Sequence, residues 1–385
     1  MANTRLNVHL YPSTFRYESR ILRETRALID LGLVDAIEIV ARWEAGLDEF
    51  ERIDDKRTVW RVRGKLSGLF GDNLIGKLFF ILEWWVRVLC GYFRKEIAVI
   101  NCHSLSVLPI GCMLKWFRQG KLIYDTHELE TETRVVAGIR KKLAKATEKW
   151  GMRWVDELVV VSPSIGAWYE SQYPPVKAHT IRNLPDRVDQ QALKTVDLKQ
   201  KLGIHETEIL FVYYGIIAKG RGIELLIDAF QDNDAGGHIV FIGYGPLDRL
   251  VMDKAKSIRQ VHFHDPVPPQ EVLAYAASAD IGVALIENVS LSYYYCLPNK
   301  LFEYLACGIP VLVSNFPDMS AVVDDYQCGW KITPAVDSML RFLQDLSLED
   351  VAQRRHAAGV AGQELTWENE KQRLVKLMED TAAAR

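Results

Sequence analysis

Two runs of alternating strand and helix signals, separated by one polar stretch, constrain this chain more than any other feature. Short apolar segments at residues 6–10, 36–40, 97–101, 122–124 and 158–161 alternate with helical patterns such as 18–31 and 135–154. Residues 183–197, NLPDRVDQQALKTVD, are polar and show no apolar alternation. The pattern then restarts, with strand signals at 209–213, 238–242, 261–263, 281–285 and 311–314. Helical stretches at 223–230, 247–257, 269–277 and 300–307 lie between them, and a final helix at 366–383 has no strand after it. Strand–helix alternation predicts parallel sheets covered on both faces. Two such sheets in tandem predict a cleft between facing strand ends, so chemistry is sought in the loops that follow the strands.

At roughly 100–200 residues per domain, 385 residues agree with two units. The net charge of −3 is uneven: Lys and Arg exceed Asp and Glu by 6 over residues 1–183, which leaves −9 for residues 184–385. The first half is therefore the better match for an anionic partner. Within it, residues 56–95 hold nine basic residues (Lys56, Arg57, Arg61, Arg63, Lys65, Lys77, Arg87, Arg94, Lys95) against Asp72 and Glu83. Residues 78–93, LFFILEWWVRVLCGYF, are interrupted by Glu83 and Arg87, four apart, the spacing of a helical ion pair. The uncharged runs are too short for a membrane span of ~18 residues, which predicts a surface or core helix. The N-terminal MANTRLNVHLYPS has neither an apolar core region nor a cleavage site, so no signal peptide is expected. None of the six cysteines forms a CxxC pair, and their apolar surroundings suit small core residues in a reducing compartment.

Several stretches carry chemistry. Gly215 ends the first strand of the second run, and IIAKGRG (216–222) follows before a helix. Glycines allow close backbone approach, Lys219 and Arg221 supply positive charge, and the helix start supplies free N–H groups. That combination suits a diphosphate, although a basic solvent loop would look the same. Gly243 and Gly245 end the next strand as a weaker signal, and His264 follows the third. His262 and His264 are two apart, and no metal site is assigned to them or elsewhere. In CLPNKLFEYLACGIPVLVSNFP (296–317), Asn299 is placed to cap a helix that opens at Lys300. Glu303 would then be a lone acid among apolar residues, either a helix-capping or salt-bridged residue or an acceptor for a ribose diol. In the first run, His103 and His127 each follow a strand.

The stretch LPNKLFEYLACGIPVLVS (297–314) resembles the nucleotide-binding signature of family 4 glycosyltransferases, which have the GT-B fold: two Rossmann-like doubly wound domains facing a central cleft. GIIAKGRGIELLIDAF (215–230) is similar to the family's phosphate loop and following helix. INCHSLSVLP, LIYDTHELE, ELVVVSPSI and IRNLPD resemble its N-terminal strand ends and interdomain linker. The match runs in order over most of residues 95–385.

The resemblance implies an N-terminal acceptor-binding domain (1–183), a C-terminal nucleotide-sugar-binding domain (184–365) and a last helix (366–385) crossing back to the first. It implies retaining, metal-independent transfer of a hexose from a UDP- or GDP-linked sugar to a glycan or lipid-linked saccharide in bacterial-type polysaccharide assembly, with no cofactor. By similarity, Glu303 holds the ribose, Arg221 and Lys219 neutralise the leaving diphosphate, and Gly215, Gly243, His264, Asn299 and Lys300 complete the donor site. His127 lies near the transferred sugar, with His103 beside it. Three positions depart from the pattern. Tyr295 stands where the family often has an acid, Ile216 where it often has an arginine, and Tyr11-Pro12-Ser13 replaces a glycine pair. Two other readings remain, a sugar-nucleotide epimerase of the same fold and a non-catalytic nucleotide-sugar-binding subunit. Nucleic acid is not an expected partner. The protein is expected in the cytoplasm, with residues 56–95, including Phe79, Phe80, Trp84 and Trp85, meeting an anionic inner membrane face.

Overall fold

The computed structural model describes residues 5–16, 18–64, 74–193, 195–231 and 237–383. The chain forms two compact units, residues up to Arg182 together with Lys371 onward, and residues Asn183–Glu370.

The first unit runs β1 (Leu6–Leu10), α1 (Ser19–Asp30), β2 (Ala36–Arg42), β3 (Phe50–Arg52), β4 (Arg57–Val62), α2 (Leu74–Tyr92), β5 (Val99–Cys102), α3 (Leu108–Arg118), β6 (Lys121–Thr126), α4 (Gly138–Gly151), β7 (Glu157–Val160), α5 (Pro163–Gln172) and β8 (Ala178–Thr180). The sheet order is β3-β4-β2-β1-β5-β6-β7-β8. Every pairing is parallel except β3 on β4. Central β1 and β5 are buried along their whole length, as parallel strands covered on both faces must be.

The second unit runs α6 (Leu198–Leu202), β9 (Leu210–Ile216), α7 (Ile223–Gln231), β10 (His238–Tyr244), α8 (Asp248–Ala255), β11 (Val261–His264), α9 (Val272–Ala276), β12 (Ile281–Ala284), α10 (Leu291–Tyr294), α11 (Asn299–Ala306), β13 (Val311–Ser314), α12 (Pro317–Tyr326), β14 (Gly329–Ile332), α13 (Val336–Asp345) and α14 (Leu348–Glu364). Helix α15 (Trp367–Ala383) is shared: it begins in the second unit and ends in the first. The all-parallel order is β11-β10-β9-β12-β13-β14. Successive side chains of a strand point to opposite faces, so β9 feeds two cores. Phe211 and Tyr213 pack with α7 and α13, while Leu210, Val212 and Tyr214 pack with α11, α12 and α14.

The alternating α/β architecture matches the expected fold class. The pattern missed β3, β4, β8 and β14. Strand β4 lies within the basic stretch 56–95, and two of the cations expected to meet an anionic surface are buried in it. Arg57 is buried against Asp54 (2.7 Å) and the Leu22 carbonyl, and Arg61 against Glu51 (2.6 Å) and the Phe15 carbonyl. Lys95 pairs with Glu38, and Arg87 with Glu83 at 2.9 Å, the ion pair that the spacing predicts. Trp84, expected at a membrane, is buried and donates its indole N–H to the Ala41 carbonyl (3.3 Å). Phe79 is exposed. Lys65 and Asp72 lie outside the described residues, as does the side chain of Lys77. Among the described residues, no helix is long and apolar enough to cross a membrane.

Candidate active site

Each sheet reverses its strand order once, and open parallel sheets bind ligands outside the strand carboxyl ends at that reversal. In the second unit the chain builds outward from β9 to β10 and β11, then returns to place β12 on the other side of β9. The loop after β9, the loop after β12 and the start of α11 therefore converge.

Side-chain and backbone contacts fix that convergence. Gly222 donates its N–H to Glu287 Oε1 (3.1 Å), and Glu287 donates its own N–H to the Gly220 carbonyl (3.0 Å), so an acid from the second loop ties down the first. Helix α11 is held by Tyr304, whose hydroxyl donates to the Val212 carbonyl (3.1 Å) and accepts from the Tyr214 N–H (3.2 Å). The Tyr304 ring lies on Gly282, where a Cβ would come within 2.2 Å of it, so only glycine admits the helix this close to β12. Gly243 is equally constrained: a Cβ there would lie 2.0 Å from the Gly215 carbonyl oxygen of the neighbouring strand.

Within this frame, Gly215 is the penultimate residue of β9, at φ +118°, a conformation that favours glycine. Lys219 is exposed on the loop and Arg221 is half-buried. Lys300 is buried in the first turn of α11, and its ammonium has no hydrogen-bond partner. Burial, reinforced by the nearby charge of Arg221, holds its pKa well below the usual lysine value, and Glu303 only partly opposes this. The ammonium sits over the Tyr213 ring, and the Lys300 side chain passes Gly215. Glu303 is half-buried, and its Oε2 accepts from the Tyr214 hydroxyl. Burial, with the Glu303 charge adding, drives the Tyr214 phenol well above its ordinary pKa and keeps it a donor.

Two expected positions differ. Asn299 does not cap α11; Pro298 occupies the N-cap position and makes no side-chain cap bond. His264 lies on β11, at the sheet edge two strands from β9, where its Nδ1 bonds the Asp265 carbonyl (2.7 Å) and its ring meets Tyr275 edge-on. Its neighbour His262 pairs with His238 (3.0 Å).

In the first unit the strand order reverses between β1 and β5, and the residues there form a buried polar chain. Asn101 Nδ2 lies 3.4 Å from His9 Nε2, His9 Nδ1 lies 2.8 Å from His103 Nε2, and His103 Nδ1 lies 3.0 Å from Asp125 Oδ2. Burial lowers the pKa of both His9 and His103, so both rings are neutral. One proton arrangement satisfies every link: Asn101 donates to His9, His9 to His103, and His103 to Asp125. Arg20 donates to both Asp125 oxygens (2.9 and 3.2 Å) and to the Ile181 carbonyl (2.8 Å). The Asp125 carboxyl lies well below its usual pKa although burial opposes this, because Arg20, His127 and His103 favour the anion.

His127 Nε2 lies 3.5 Å from the same carboxylate oxygen, and its side chain is 32% exposed. His103, expected beside the cleft, is 1% exposed and reaches the same carboxylate only from within the protein. His103, Asp125 and His127 offer ligand atoms within 4.8 Å of one another, a set of metal-binding types. The two Arg20 contacts on Asp125 and the His9 contact on His103 make it a closed hydrogen-bond array with one exposed member. Sequence reasoning missed Arg20, His9, Asp125, Tyr214 and Glu287. Asp125 was within reach, two residues before His127 in the DTHE stretch. Arg20 carries no signal within its helix.

Residues 195–364 match the model of the family described as glycosyl transferases group 1. Among curated proteins, TuaC of Bacillus subtilis (strain 168), named as a teichuronic acid biosynthesis glycosyltransferase, is 25% identical over 131 residues, 34% of this chain and 31% of that protein. Alpha-monoglucosyldiacylglycerol synthase of Acholeplasma laidlawii is 29% identical over 141 residues, 34% of this chain and 33% of that protein. The matches thus span about a third of each curated relative. Among solved structures, sucrose-phosphate synthase from Thermosynechococcus elongatus superposes with a TM-score of 0.77 at 17% identity, covering 99% of this chain and 100% of that one. Anabaena Alr3699/HepE in complex with UDP and glucose gives 0.71 at 14% identity, covering 98% and 100%. The fold is GT-B. The family match lies within the second unit, and the findings together support a family 4-like glycosyltransferase.

Proposed function

We propose that this chain is a retaining glycosyltransferase that moves a hexosyl group from a UDP- or GDP-linked sugar to a glycan or lipid-linked saccharide in polysaccharide biosynthesis. The carrying observation is the buried, unpartnered ammonium of Lys300 beside Arg221 at the strand reversal of the second unit. A buried charge without a partner is costly, and a diphosphate is the complementary group. Lys300 also offers a further cation where Ile216 replaces the family's arginine. In this reading Lys300, Arg221 and Lys219 hold the diphosphate and stabilise the charge that develops on it as the glycosidic bond breaks. Glu303, oriented by Tyr214, accepts from the ribose hydroxyls. His127, oriented by Asp125 and His103, acts at the transferred sugar. The reading uses no metal and no cofactor. A UDP-linked donor agrees with the solved neighbour bound to UDP and glucose.

The test is a thermal-shift panel of UDP, GDP and ADP and their sugars, followed by incubation with the stabilising donor. A ligand that binds only the folded state raises its apparent stability. Expected are a selective shift with one base and release of a sugar with the donor's anomeric configuration, abolished in His127→Ala and Glu303→Ala. An epimerised nucleotide-sugar without acceptor would replace this reading with an epimerase, and unchanged turnover in both variants would sink the site assignment.

A further inference from the structure

Helix α4 of the first unit is oriented against the usual rule. A surface helix normally turns its apolar stripe inward and its polar face to water. In α4 the inward group is a carboxylate: Glu148 is buried and accepts from the hydroxyls of Tyr169 (2.8 Å), Tyr173 (2.8 Å) and Tyr124 (3.3 Å). The opposite side carries Ile139, Leu143, Ala146 and Trp150, spaced i, i+4, i+7 and i+11, one stripe along a helix. Ile139 is 76% exposed, Leu143 64% and Trp150 42%, and Val135, just before the helix, is 78% exposed. These residues contribute little to the core of the unit.

The charges beside the stripe have one sign. From Arg134 to Arg153 the only acid is the inward Glu148. Lys141 and Lys145 are taken by Glu132 (2.5 and 2.6 Å). Arg134, Arg140, Lys142, Lys149 and Arg153 are all exposed around the apolar row. Aliphatic residues with a tryptophan, bordered by exposed cations, match an interface whose interior is apolar and whose surface is anionic.

We infer that the outer face of α4 docks this unit on an anionic lipid bilayer, with Ile139, Leu143 and Trp150 entering the headgroup boundary and the flanking cations meeting lipid phosphates. The assignment adds a contact outside residues 56–95, where Arg57, Arg61 and Trp84 are buried while Phe79, Ile81, Leu82 and Val86 are exposed. It extends the proposed function toward a lipid-borne acceptor but is independent of the reaction, because vesicle binding is read without donor or turnover.

The test is cosedimentation of the full chain with vesicles of phosphatidylcholine alone and of phosphatidylcholine mixed with phosphatidylglycerol, at low and high salt. Expected are binding to the anionic vesicles only, weakening with salt, and an at least tenfold loss of affinity in Ile139→Asp/Leu143→Asp and in Lys142→Glu/Lys149→Glu. Both pairs are exposed, so their unfolding temperatures should stay near that of the wild type. Failure of the wild type to sediment with anionic vesicles, or undiminished binding by the Ile139/Leu143 variant, overturns the inference. So does a wild-type dimer in solution that this variant splits, because the stripe would then belong to a second copy of the chain.

Discussion

The Lys300 ammonium sits 3.4 Å from the centre of the Tyr213 ring, buried, with no hydrogen-bond partner. A cation over an aromatic face recovers about 0.5–2 kcal/mol, less than an unpaired buried charge costs. The free protein therefore holds a destabilising group where an anion would relieve it. Lys300→Met keeps the stem and removes the charge. It should stabilise the free protein by about 1 kcal/mol or more while weakening UDP or GDP at least about tenfold. Denaturation and calorimetry on the same samples check both. A variant that is less stable yet binds the diphosphate normally would remove Lys300 from the site.

The Tyr214–Glu303 contact makes a separate prediction. Hydrogen bonds to charged groups contribute about 1.5–3 kcal/mol, so Tyr214→Phe should destabilise the protein by about that amount. Glu303→Gln should weaken a nucleoside diphosphate by about tenfold or more. It should leave the 2′,3′-dideoxy analogue unaffected, since that ligand offers no ribose hydroxyls. Equal losses for both ligands would assign Glu303 to something other than the ribose.

How much of this was legible follows from the range of each interaction. Period-two and helical patterns are local, so the central strands were readable within a few residues: β1 and β13 fall where the sequence places them. Strands β3, β4, β8 and β14 were not, because they lie toward the sheet edges, where burial and hence apolar patterning weaken. In β4, two of the inward residues are arginines, which read as surface. The glycine loop and Glu303 were legible because one short segment carries each signal. Arg20 and Asp125 are 105 positions apart, and His9 and His103 are 94 apart, so only the fold shows that they meet. The outward stripe of α4 was hidden for the opposite reason. Its spacing is that of any amphipathic helix, and the sequence does not say which face turns inward.

Gly243 tests the close approach of β10 to β9. In Gly243→Ala the new Cβ would lie 2.0 Å from a backbone oxygen that cannot rotate away, at φ +149°. The expected cost is above about 2 kcal/mol, with donor binding lost in parallel because Gly215 must shift. Gly203→Ala is the control. It has a positive φ of +67° but open space around it, and should cost only about 1 kcal/mol. Urea titrations of the two variants compare them, and similar costs would mean that the strand ends separate without penalty.

Glu24 predicts a pH dependence of the first unit. It lies 3.0 Å from Arg20, yet burial pushes its carboxyl up to about 8 against the pull of that charge, and the nearby Asp125 adds to the rise. The unfolded chain releases this proton near pH 4.3, so between about pH 4.3 and 8 the folded protein binds the extra proton. Stability from this group is full below that window and is lost as pH rises to about 8. Glu24→Gln mimics the protonated form and titrates nowhere. The stability of the variant relative to wild type should therefore increase by at least about 1 kcal/mol from pH 5 to pH 8 and level off above. Denaturant midpoints at pH 5, 6.5, 8 and 9 measure the difference. A difference that stays constant across the series would mean that Glu24 is ionised in the fold throughout, with Arg20 shared between two carboxylates and not committed to Asp125.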